Sequence, residues 1–152
     1  MKFGYFLVSV LLLALLIGIG CGKTNAKTKP KLSLESINTV VQHDDSMRAL
    51  FKISSAGGLS NGTFLAIRNR INQVPFPTSD SAGVDTFAVQ IPDFHGASSG
   101  EIRFALPVQG FLSESANLHM NDTLIYQFVV FTTDTATHSD TVTSPKVVII
   151  NP

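Results

Sequence analysis

Thr123-Leu124-Ile125-Tyr126-Gln127-Phe128-Val129-Val130-Phe131-Thr132 decides the fold. The run holds no charge, glycine or proline, and is dominated by β-branched and aromatic residues. That composition fits a pleated, largely buried surface, so the run reads as a central strand. Asp134 to Asp140 follows with turn chemistry, and Thr141 to Ile150 is β-branched again. The two runs form a closing hairpin.

Working outward, the same grammar recurs. Leu32 to Ile37 alternates and makes the first strand. After the turn residues His43-Asp44-Asp45-Ser46, Met47 to Ser54 turns Met47, Ala49, Phe51 and Ile53 inward, with Leu50 as the exception. The glycine loop Ala56 to Gly62 leads to a third strand, Thr63 to Ile71, carrying Arg68 and Arg70 on one face. Val74-Pro75-Phe76-Pro77 lacks ladder donors at its prolines and suits an edge crossing between sheets. Thr86 to Ile91 and Glu101 to Leu106 alternate around the loop Pro92 to Gly100. Seven short strands with no helical periodicity predict an all-β fold, an antiparallel β-sandwich of immunoglobulin-like or fibronectin type III-like kind. Tryptophan is absent, so Phe51, Phe64, Phe87, Phe104 and Phe128 are expected to fill the core. A closed barrel is the alternative, disfavoured by the proline crossing and the unequal loops.

The N-terminus is of another kind. Lys2 precedes eighteen uncharged residues, Phe3 to Gly20, and Gly18 and Gly20 lead to Cys21, the only cysteine. A charged start, an apolar run and a small-residue exit make a secretory signal peptide, with cleavage expected between Gly20 and Cys21. A single membrane-spanning anchor is the competing reading, since about 20 apolar residues span a bilayer. The placement of Cys21 resembles the lipobox of bacterial lipoproteins, although Gly18 stands where leucine is commoner. The resemblance covers residues 1–21 and implies acylation of Cys21. Residues 21–31 then form a tether with four lysines, no acid and nothing large and apolar to bury. Residues 32–152 make one domain of 121 residues, enough for a core. Setting aside Lys2 and the tether lysines leaves 6 basic against 11 acidic residues, a net of about −5 for the domain. Such a balance offers nucleic acid no basic groove. The basic tether suits anionic headgroups, although a merely solvated linker accounts for it equally well.

Four features of the domain resemble small Ig-like lipoproteins of the Bacteroidota. They are Gly57-Gly58-Leu59, Pro75-Phe76-Pro77, Gly100-Glu101-Ile102-Arg103-Phe104, and the turn Asp134-Thr135-Ala136-Thr137-His138-Ser139-Asp140-Thr141-Val142. The resemblance implies a cell-envelope protein, anchored to the outer membrane on its periplasmic face or at the cell surface. The glycine loop, Ser54 to Gly62, has no acid here, which argues against calcium.

Little in the domain marks chemistry. His43, His95, His119 and His138 lack the spacing of a zinc protease, and turn residues account for them. His119-Met120 is a weak pointer to soft-metal binding. There is no Gly-x-Ser-x-Gly elbow, and no glycine loop opens a helix to cradle phosphate. Glu35, Glu101 and Glu114 have nothing to mark them as a glycosidase pair. No catalytic residue, cofactor or metal site is assigned. Phe76, Phe94 and Phe111 are the candidate ligand-contact aromatics, though loop phenylalanines more often tuck into sandwich ends. Asp-[Ser/Thr]-aliphatic tripeptides place Ser46, Ser81, Thr123, Thr135 and Thr141 as candidate O-glycosylation acceptors, a pattern resembling the periplasmic acceptor of Bacteroidota. Strand-initiating turns generate the same tripeptide unaided.

The function expected is a non-enzymatic, lipid-anchored envelope module that binds a protein or glycan partner. A carbohydrate-binding accessory, or enzyme, of a glycan-uptake system is the second reading. A periplasmic metal-binding lipoprotein resting on His119, Met120 and His43 is the third.

Overall fold

The computed structural model describes residues 29–56, 61–72, 84–108, 121–131 and 137–152. These residues form nine strands: β1 (Lys31–Ile37), β2 (Val40–Gln42), β3 (Ser46–Ser54), β4 (Thr63–Arg70), β5 (Val84–Gln90), β6 (Ser99–Pro107), β7 (Asp122–Phe131), β8 (Val142–Thr143) and β9 (Val147–Ile150). One sheet has the order β1-β3-β6; the other runs β2-β9-β7-β4-β5, with β8 beside β7. The two sheets face each other across one core, so the protein is a β-sandwich. The first, third and sixth strands share one sheet, and β4, β5, β7 and β9 the other. That is the strand division of immunoglobulin-related sandwiches.

β7 is central, as its sequence requires, flanked by β4 on one side and by β8 and β9 on the other. Two differences from the expected seven strands have physical causes. The return strand, expected over 141–150, breaks into β8 and β9 at Ser144-Pro145-Lys146, because proline has no N–H for the ladder. The Ser144 hydroxyl replaces the lost pairing: it accepts from the Tyr126 N–H at 2.9 Å and donates to the Pro145 carbonyl. Ser139 does the same for Val130 one turn earlier. The second difference is β2, a three-residue strand that leaves the first sheet and pairs in parallel with β9. Asn38 anchors that crossover. Its amide accepts from the Arg48 N–H at 2.6 Å and donates to the Ser46 carbonyl.

The core is aromatic. Phe51 from the first sheet meets Phe128 and Phe64 of the second at 4.6 and 5.1 Å between ring centroids. Phe104 closes the group against Phe64 at 5.3 Å. Four of the five expected phenylalanines therefore sit in one cluster. Phe87 does not: it is half-buried at the margin, and Tyr126, wholly buried and stacked on Phe128 at 6.0 Å, supplies the remaining volume.

Burial raises the Tyr126 hydroxyl from 10.0 to about 12, with Asp122 and Asp85 adding to the rise and Arg68 opposing it. The folded pKa lies above the unfolded one. The neutral phenol's contribution is therefore intact below pH ~10 and is lost as pH rises toward 12, an effect of ~3 kcal/mol at most. A chain starting at Cys21 has Tyr126 as its one tyrosine, so tyrosinate absorbance reports on it alone. That absorbance is expected to appear together with loss of strand circular dichroism. Tyr126→Phe should remove this alkaline transition; an unchanged transition in the variant would contradict the assignment.

Candidate functional site

The strands give the sandwich two distinct ends. At one, the chain enters at Lys29 and Pro30, close to Ser54, Ser99, Phe131 and Asp140. At the other stand the His43–Asp45 turn, Asn72, Val108, Asp122 and the C-terminal Asn151. The second end holds a connected group of polar pairs. Asp122 is fully buried and takes hydrogen bonds from Arg70 Nε at 3.0 Å and Asn72 Nδ2 at 3.1 Å. The Asn72 carbonyl oxygen accepts from the Thr123 N–H, and Asn151 N–H donates to Asn121 Oδ1. His43 Nδ1 lies 3.2 Å from Asn151 Oδ1. These contacts tie β4, β7, the β2–β3 turn and the C-terminus together. They are structural pairs that leave no nucleophile beside a base. The turn is reinforced by Asp45, held below the usual carboxylate range by the Ser46 N–H and then by Arg48.

Arg68 extends this polar end into the sandwich. Alternation along β4 turns it inward with Phe64 and Ala66, and it is only 6% exposed. It pairs with Asp85 directly opposite on β5 and lies over the Phe87 ring at 5.7 Å. Asp85 and Phe87 are two apart and therefore share one face of β5. One guanidinium thus fixes the edge strand of the larger sheet through a charge and a ring at once.

That edge differs from the other three. β1 carries Lys31, Glu35 and a register shift between Leu34 and Ser36. β6 turns Glu101 and Arg103 outward and ends in Pro107, and β2 is only three residues long. Charges, prolines, irregularities and shortness are the usual protections of an open edge. β5 has seven residues in unbroken register with β4, and its one charge is the paired Asp85. Val84 and Val89 are 51% and 48% exposed. Thr86, Ala88 and Gln90 are exposed as well. Among the described residues no strand pairs with the outer edge of β5, which is nearly neutral and held flat from behind.

A groove of about 730 Å³ opens at the chain-entry end between the margins of β1, β3 and β6. Leu32 and Ile53 form its floor, with Lys31, Lys52, Glu101 and Asp140 around it. Lys52 pairs with Glu35 at 3.2 Å, and Lys29 pairs with Asp140, which holds that carboxyl below its usual range. The groove mixes both signs of charge and converges on no single group.

The sequence candidates scatter. Phe94 does not offer its ring to a ligand: it packs against the core, and a Cβ at Gly100 would drive into that ring. Phe76, Phe111, Ser81, Thr135, His119, Met120, Gly20 and Cys21 lie outside the described residues. Among the acceptor candidates, Thr123 follows a buried Asp122, and Ser46 follows an Asp45 occupied by Arg48. Thr141 is exposed and follows Asp140, whose side chain is 90% exposed. His138 Nδ1 sits 2.8 Å from the Ser139 carbonyl, and exposed His95 lies 3.4 Å from Asp93. No three His, Cys, Asp or Glu among the described residues come together as a metal site. No helix among them is long and apolar enough to cross a membrane. Sequence reasoning placed Arg68 on one face of its strand with Arg70 but missed its pairing with Asp85 and Phe87 and the β5 edge. The inward phase of Phe64-Leu65-Ala66-Ile67-Arg68 was the available signal.

No protein-family model matches the chain, and no curated protein does. Among solved structures it is similar to β-glucosidase from Listeria innocua in complex with glucose, at 10% identity and a TM-score of 0.46. That match covers 81% of this chain and 16% of the glucosidase chain. A mutant of the same enzyme with laminaribiose matches at 11% identity and 0.46, over 80% and 16% of the two chains. Spo0M, a sporulation control protein from Bacillus subtilis, matches at 8% identity and a TM-score of 0.35, over 82% and 51%. The chain thus spans about one sixth of the length of the glucosidases. Likeness at this level carries no argument about activity.

Proposed function

We propose that the protein is a non-enzymatic, lipid-anchored module of the cell envelope that binds a protein partner by strand addition along β5. The observation that supports this reading is an edge that no described strand pairs: seven residues in regular register, neutral outward, with Val84 and Val89 half exposed. An edge of that kind presents a row of backbone donors and acceptors to an extended segment, and alternate side chains read its sequence. The leader, Cys21 and the basic tether support export and anchoring at the outer membrane. The second and third readings gain no observation: Phe94 faces the core, and His43 contacts Asn151.

Position-specific photo-crosslinking in the native host tests it. A crosslinker at Ala88, on the outward face of β5, is expected to give one discrete protein adduct. The same probe at Arg103 on β6 should give none. Thr86→Lys, which places a charge on the β5 edge without touching the Arg68 pair, should abolish the adduct. Equal crosslinking at both edges, or an adduct indifferent to Thr86→Lys, would overturn the assignment.

A further inference from the structure

We propose that the sandwich stands on the bilayer in one polarity, its chain-entry end toward the lipid headgroups and its His43–Asp45 end presented away from the membrane. This rests on acylation at Cys21. The argument is covalent. Pro30 is buried and Lys31 pairs with Ser54, so the chain is held to the domain from Pro30 onward. Nine residue steps separate Cys21 from Pro30, and at most ~3.3–3.6 Å each they reach about 32 Å.

Inversion needs all of that length. β3 runs from Ser54 at the entry end to Ser46 at the other, eight steps of ~3.3 Å, or about 26 Å. Pro30 lies one step before this span and the turn begins at Asp45, one step beyond it, which brings the separation to about 33 Å. To set the His43–Asp45 turn on the membrane, the tether would have to be drawn out to its full extension. It would also lose the Lys29–Asp140 pairing that fastens it one residue earlier. Headgroups attract Lys23 and Lys27, each by about 1 kcal/mol at an anionic surface, which shortens the working tether further.

The polarity bears on recognition. Strands of this sandwich run along its long axis, so β5 rises from the membrane side at Gln90 to the free end at Val84. Antiparallel pairing of two β5 edges would reverse one copy, and two copies anchored in one bilayer cannot do this. An antiparallel partner strand on β5 therefore comes from another protein.

The lipidated full-length protein, purified from its host and placed in phosphatidylcholine vesicles containing headgroup-quencher lipid, provides the test. Cys21 is its only cysteine, so a second one takes a fluorophore uniquely. Ser98→Cys marks the entry end and Asp44→Cys the other, both exposed positions. Quenching several-fold stronger at residue 98 than at 44 is expected. Inserting ten Gly/Ser residues after Lys27 should raise quenching at residue 44. Equal or reversed quenching in protein that floats with the vesicles would overturn the polarity while leaving the anchor intact. Protein that fails to float would overturn the anchor and the polarity together.

Discussion

Phe128→Ala is expected to cost ~3–5 kcal/mol, the range for deleting a fully buried phenylalanine. Folded domains hold only ~5–15 kcal/mol in reserve, so the variant should lie near its unfolding threshold. The ring earns this weight by position. It lies 4.6 Å from Phe51, 5.8 Å from Phe64, 6.1 Å from Phe104 and 6.0 Å from Tyr126, and so touches both sheets. No single neighbour can fill the void by a rotamer change, because the others hold it in place. Urea unfolding followed by far-ultraviolet circular dichroism measures the loss. Phe87→Ala, at the half-buried margin, should cost distinctly less. Equal losses for the two would mean that the sheets do not share the core described.

Asp122→Ala should be as damaging for an electrostatic reason. Its carboxylate is fully buried and faces Arg70, itself only 21% exposed, with Asn72 alongside. Removing one member of a buried ion pair typically costs ~3–5 kcal/mol. A fall in melting temperature on the order of 10 °C or more is the expected reading. Arg70→Met in the same chain should recover part of the loss, since the half-buried cation that Asp122 faced is then gone. A double variant worse than the sum of its parts would contradict this account of the cluster.

How much of this was legible in the sequence follows from where each signal is stored. β7 declares itself because Leu124, Tyr126, Phe128 and Val130 alternate inward, and burial follows that alternation residue by residue. β3 is equally plain, and its exception, Leu50, proves to be half-buried opposite Ser36 on the outer face. Pro145 could have divided the last strand in advance, since a missing N–H is a local property. β2 could not be foreseen on those grounds: three residues have no periodicity, and their parallel partner lies over a hundred residues away. Arg68 was obscured by its charge, which argues for solvent. Only the pairing of β4 with β5 brings Asp85 and Phe87 beneath it. The edge character of β5 is likewise a property of sheet order, which no single segment encodes. Phe94, in its loop, suits a ligand contact by sequence, and its packing against the core depends on Gly100 leaving room for the ring.

Anchoring at Cys21 underlies both the proposed role and the polarity on the bilayer. The intact mass of the protein extracted from membranes of its own host tests it most directly. A chain beginning at Cys21 and carrying the mass of a diacylglyceryl group, with or without a further acyl chain, is the expected result. A mass that retains residues 1–20, or that begins elsewhere without lipid, would contradict it.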